Sequence, residues 1–124
     1  MFRNLEKIAD CGFSVYIESH RYGNVILAGI DFPLQSLEKY DYYGRESLRD
    51  YIDDSNSPGD IDAIEAYNKL CEFADNNEAF LFAHEKTIEK CLEILDKRAA
   101  SWLALNFEQQ EQLLNNFIES QKHH

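Results

Sequence analysis

The stretch FSVYIESHRYGNVILAGID, residues 13–31, decides the fold. Its first part, Phe13–Ser19, is rich in β-branched and aromatic residues and alternates Phe13, Val15 and Ile17 against Ser14, Tyr16 and Glu18. A period of two is the mark of a half-buried strand. His20-Arg21-Tyr22-Gly23-Asn24 supplies turn chemistry, because Gly and Asn tolerate positive φ. Asn24–Asp31 is a more continuous apolar run and fits a central strand. The two runs predict a β-hairpin, 13–19/24–31. A hairpin alone is marginal in water, so helices must cover it.

Working outward, Phe2, Leu5, Ile8 and Ala9 recur at helical spacing with Gly12 placed to stop the turn, which predicts a short amphipathic helix over residues 2–11. After Pro33, a helical turn or two fits before Gly44. In residues 45–53 the side chains of Leu48, Tyr51 and Ile52 share one face. The run 53–59, DDSNSPG, is a loop, and it ends in a helix start: Ser57 as N-cap, Pro58 at the first helical position and Asp60 in a capping-box place. That helix is expected to reach about Ala74, with Ile61, Ile64, Tyr67, Leu70, Cys71 and Ala74 inward. AFLFA, residues 79–83, reads as a third strand in preference to the first turn of the next helix.

Helical spacing then carries Glu85–Arg98, with Ile88, Leu92, Leu95, Ala99 and Trp102 as its buried stripe. Asn106 caps a last helix through Ser120, whose stripe is Leu113, Leu114, Phe117 and Ile118. The expected class is α+β, a small antiparallel sheet packed against four or five helices in one domain spanning residues 1–124.

With 44 % hydrophobic and 13 % aromatic residues, the chain has the composition of a packed domain. Three cysteines, Cys11, Cys71 and Cys91, cannot all pair, none lies in a CxxC spacing, and buried free thiols in a reducing cytoplasm are expected. The chain shows no apolar run long enough to span a membrane and no signal-peptide pattern. Glu18-Ser19-His20 and His84-Glu85 each set a carboxylate beside an imidazole, as a metal site or a base with its orienter would. The histidines stand sixty-four positions apart, and exposed or capping roles are the preferred reading. No nucleotide-binding or zinc-protease motif occurs. Catalytic residues, cofactor and metal are all expected to be none.

The charge is the informative part. Residues 38–78 hold twelve acidic and four basic residues, about −8 of the net −11, while both flanks are nearly balanced. An acidic balance argues against nucleic acid and anionic lipid as direct partners, since phosphate demands Lys and Arg. It favours a basic protein. Tyr40-Asp41-Tyr42-Tyr43 packs four bulky residues into one run, so a ring or two should be exposed as binding anchors. The expected partner-binding set is Tyr40, Asp41, Tyr42, Asp50, Asp53, Asp54, Asp62, Glu65 and Glu72. The leading expectation is a cytoplasmic inhibitor, a monomer or dimer of the immunity-protein or antitoxin type, that covers the basic active site of a toxin or nuclease. The alternative is a phage or mobile-element DNA mimic, acting against restriction or CRISPR machinery through carboxylates spaced like phosphates.

Overall fold

A computed structural model describes residues 2–20, 25–31, 47–56 and 61–121. The elements in order are α1 (Arg3–Asp10), β1 (Ser14–Ser19), β2 (Ile26–Asp31), α2 (Leu48–Asp54), α3 (Ile61–Asn76), β3 (Phe82–Glu85), α4 (Ile88–Ala104) and α5 (Phe107–Gln121). The three strands form one sheet in the order β1-β2-β3, both pairs antiparallel. The α+β class and the central place of β2 follow the sequence pattern. The hairpin turn at 21–24, the segment between Pro33 and Gly44, Tyr40–Tyr43 and the Ser57 cap lie outside the described residues.

Strand register explains the layering. Ser14 pairs with Asp31, Tyr16 with Gly29 and Glu18 with Leu27, so these side chains share one face with Phe82 and His84. That face meets α2 and α3. Val15, Ile17, Ala28, Ile30 and Ala83 point the other way, toward α1 and α4. Leu27, Ala28 and Ile30 are wholly buried, as a strand covered on both faces requires. Gly29 is fixed by close approach: a Cβ there would stand 2.5 Å from Ile52 Cδ1 and 3.2 Å from the Leu81 carbonyl oxygen. Outside the strands, α5 drives Phe117 against Tyr51, Phe73 and Phe80 at ring-centroid distances of 5.0, 5.3 and 4.7 Å.

Helix ends show where local signals suffice. Gly12, at φ 95°, stops α1 in the left-handed conformation that glycine favours. Asn106 and Gln109 form a reciprocal capping box, Gln109 N donating to Asn106 Oδ1 at 2.8 Å and Asn106 N to Gln109 Oε1 at 3.0 Å. Two ends are held from far along the chain instead. The Asp96 carboxylate on α4 accepts the backbone N–H groups of Asn4 and Leu5 at 3.0 and 3.1 Å, so it caps α1 where Phe2 has no capping side chain. Arg98 Nη1 donates to the Ala74, Asn77 and Glu78 carbonyls at 2.7, 3.2 and 3.4 Å, closing the end of α3.

Several expectations need correction. The third strand is Phe82–Glu85, not 79–83, because α3 runs on to Asn76 and a turn closed by Phe80 N on the Asn77 carbonyl (2.9 Å) uses the next residues. Phe80 and Leu81 are buried without being strand. Glu85 therefore belongs to β3, and α4 begins after Thr87, whose Oγ1 accepts from Lys90 N. The buried stripe of α4 is Cys91, Leu95 and Ala99, with Leu92 and Trp102 partly buried and Ile88 52 % exposed in its first turn. In α3 the stripe is Ala63, Tyr67, Leu70 and Ala74; Ile64 lies about 100° round the helix from Ala63 and is 49 % exposed. Phe13, just before β1, and Ile17 within it are exposed while Tyr16 and Glu18 are half-buried, because α2 covers the face that alternation assigned to solvent. Cys11 is exposed, Cys71 half-buried and Cys91 buried.

Replacing Gly29 by Ala should destabilise the protein by about 1–3 kcal/mol in urea denaturation, the usual range for overpacking. The double variant Gly29→Ala/Ile52→Val should recover part of that loss by removing Cδ1, which would show up as a coupling energy between the two sites.

Candidate functional site

The structure divides the expected acidic set into two groups. Tyr40, Asp41 and Tyr42 lie outside the described residues. Asp50 and Asp53 are engaged within the fold. Asp50 closes the start of α2, accepting the Ser47 N–H on Oδ2 at 3.1 Å. Asp54 sits half-buried at the other end of that helix.

Asp53 belongs to a polar cluster joining α2 to β1. The Tyr16 hydroxyl contacts Glu18 Oε2 at 2.7 Å and also Asp53 Oδ1. A phenol has one proton to donate, so it cannot satisfy two ionised carboxylates at once. Arg49 offsets part of the conflict: its guanidinium lies 4.5 Å over the Tyr16 ring, 3.6 Å from Asp31 Oδ2 and 4.0 Å from Asp53 Oδ2. Burial still holds the Asp53 carboxyl above the ordinary carboxylate range; Glu18 and Asp50 push the same way, while the Tyr16 hydrogen bond and Arg49 oppose. Burial, Asp53 and Glu18 together raise the phenol, so Tyr16 stays protonated.

On α3 the geometry is different. Asp62, Glu65 and Glu72 are all exposed, and the spacing places them on one face of the helix, turned away from the buried stripe. They span about 15 Å along the axis at 1.5 Å per residue. Lys69 lies in the same row, 3.7 Å from Glu65 Oε1. Ile64 adds an exposed apolar side chain at its flank.

The fold also joins residues that sequence spacing kept apart. His20 and His84 both meet Tyr67: the His20 ring centroid is 4.5 Å from that of Tyr67, and His84 Nδ1 is 3.4 Å from the Tyr67 hydroxyl. Helical periodicity had assigned Tyr67 to the core stripe, which concealed its polar end. Burial lowers the His20 imidazole against the pull of Glu18, and it raises Tyr67. Burial also pushes the Cys71 thiol up to about 11 and Cys91 to about 12, so neither is a thiolate at neutral pH. Such a cluster packs the end of the sheet and holds no activated nucleophile. Among the described residues no group of three or more His, Cys, Asp or Glu is placed to hold a metal ion, and no helix is long and apolar enough to cross a membrane.

Comparison with protein-family models, curated proteins and solved structures finds no match to this chain.

The raised Asp53 carboxyl has a definite sign for stability. A carboxyl raised in the folded state favours folding below its ordinary range, and that contribution is lost as pH rises through the folded value. Asp53→Asn should therefore raise the melting temperature at pH 7, and the gain should shrink as pH falls toward 4. A gain that grows with acidity would contradict this account of the cluster.

Proposed function

We propose that the protein is a small acidic inhibitor of the immunity-protein or antitoxin type, acting in the cytoplasm, which covers the basic active site of a toxin or nuclease. The observation that carries this reading is the row Asp62, Glu65 and Glu72, exposed along one helix inside the third of the chain that holds most of the net charge. Sites that act on nucleic acid are lined with Lys and Arg to meet phosphate. An acidic helix face is steered onto such a site and held by charge-assisted contacts. A helix mounted on a packed sheet is also a rigid element, so little ordering entropy is lost on docking.

The DNA-mimic reading draws on the same residues with less support. Their axial steps along α3 are unequal, about 4.5 Å and then about 10.5 Å, and Lys69 interrupts the row. A phosphate backbone offers regular spacing of one sign.

The test is capture of a partner from the source cell, followed by expression of that partner alone. The captured protein should attack nucleic acid or harm the host, and co-expression of this chain should relieve the damage. Asp62→Lys/Glu65→Lys/Glu72→Lys should slow association at least roughly tenfold at low salt, with the difference narrowing as screening sets in. The control Glu89→Lys/Glu93→Lys on α4 should change association far less. Equal losses from both sets would leave the acidic face as a solubility feature and end the inhibitor reading.

A further inference from the structure

Where α3 and α5 both end, a cleft of about 290 Å³ opens between them, lined by Lys69, Glu72, Phe73, Asn76, Asn77 and Ser120. We infer that this cleft takes the guanidinium of an arginine side chain from a basic protein partner; the inference rests on the inhibitor reading and names its anchoring site.

The lining is rich in acceptors. Asn76 Nδ2 donates back to the Glu72 carbonyl at 3.0 Å and Asn77 Nδ2 to the Phe73 carbonyl at 3.0 Å. Those two bonds fix each amide so that its Oδ1 is left to accept from a ligand. Ser120 donates its hydroxyl proton to the Phe117 carbonyl at 2.5 Å and accepts from Gln121 Nε2 at 3.1 Å, which leaves one lone pair of its oxygen for a ligand. Glu72 adds a carboxylate, exposed at the surface and therefore not desolvated before binding. Phe73 adds an aromatic wall, held in place edge-on by Phe80 and Phe117 at 4.8 and 5.3 Å between centroids.

Field direction points the same way. The cleft lies at the C-terminal ends of both helices, and among the described residues neither has a basic residue in its last turn. Helix C-termini carry partial negative charge and favour cations. Arg98 meets the Ala74 carbonyl of α3 and the Asn77 carbonyl just beyond it from the α4 side, and so reduces this field without filling the cleft. Among the described residues Lys69 is the one opposing charge in the lining, and its ammonium lies 3.7 Å from Glu65.

Among cations, guanidinium fits this set best. It is planar and weakly hydrated, stacks on an aromatic ring, and presents a fork of donors to a carboxylate and neighbouring oxygens. An ammonium is a point charge that holds its water and gains less from Phe73. The acidic row on α3 runs into the cleft, since Glu72 belongs to both. A basic partner steered by Asp62 and Glu65 would thus find a seat for one arginine at the end of the row.

The test titrates the labelled protein with blocked arginine, N-acetyl-arginine methylamide, followed by amide NMR shifts. Saturable shifts confined to residues 69–77 and 117–121 are expected, with blocked citrulline, the neutral isostere, producing none. Glu72→Gln, a surface change that leaves the core intact, should weaken the arginine response at least fivefold, and Glu89→Gln should leave it unchanged. Blocked lysine binding as tightly as arginine would overturn the guanidinium assignment. Citrulline matching arginine, or equal shifts around Glu89 and Glu93, would overturn the site itself. The two readings fail separately. Loss of arginine binding in the cleft with partner capture still sensitive to Asp62 and Glu65 reversal removes only the cleft. Arginine binding in the cleft with no charge-sensitive partner removes only the inhibitor reading.

Discussion

The structure depends on β2 being buried on both faces, and above all on the contact at Gly29. Ile52 and the Leu81 carbonyl both come within the space a Cβ would fill. That closeness sets how α2 rides over the sheet, and with it how Tyr16 meets Asp53 and how Arg49 reaches Asp31. On the opposite face α4 packs across β2 and β3, and Cys91 Sγ donates to the Ile26 carbonyl at 3.4 Å. A three-stranded sheet would be weak alone. Covered by helices on both sides, its central strand becomes the framework to which β1, β3, α2 and α4 are fitted.

Signals that act over a few residues were legible in the chain. Alternation and turn residues located the hairpin, Gly12 located the end of α1, and the Asn106 cap with the Leu113–Ile118 stripe located α5 almost to the residue. Features set by distant partners were not. Nothing near Asn4 announces that Asp96 caps it, and nothing near Asn77 announces Arg98. The apolar run 79–83 was recognisable as buried, but its strand could not be placed until the length of α3 and the Thr87 cap were known. Ile64 shows the opposite limit: helical spacing from Tyr67 put it inside, while the buried stripe passes through Ala63 and leaves it exposed.

The candidate site was legible as an amount of charge and not as an arrangement. Composition located the acidic third of the chain, yet identical residue types have unlike roles within it. Asp50 and Asp53 serve the fold as a cap and as a latch on β1, whereas Asp62, Glu65 and Glu72 serve the surface. Placement beside β1 and at the start of α2 made the difference, and a sequence read without topology cannot assign it. The same topology brought His20, Tyr67 and His84 together across more than sixty positions.

The cap on α1 carries a consequence for how the chain matures on the ribosome. Asn4 and Leu5 find their hydrogen-bond acceptor in Asp96, ninety-odd residues later in the chain. At about 5–20 residues per second, synthesis leaves the first helix without its closing partner for several seconds or more. An eight-residue helix has too few bonds to persist in water by itself. A segment made well before its cap is therefore among the last to settle. During that interval Leu5 and Ile8, buried in the finished protein, stay open to whatever waits at the exit of the tunnel.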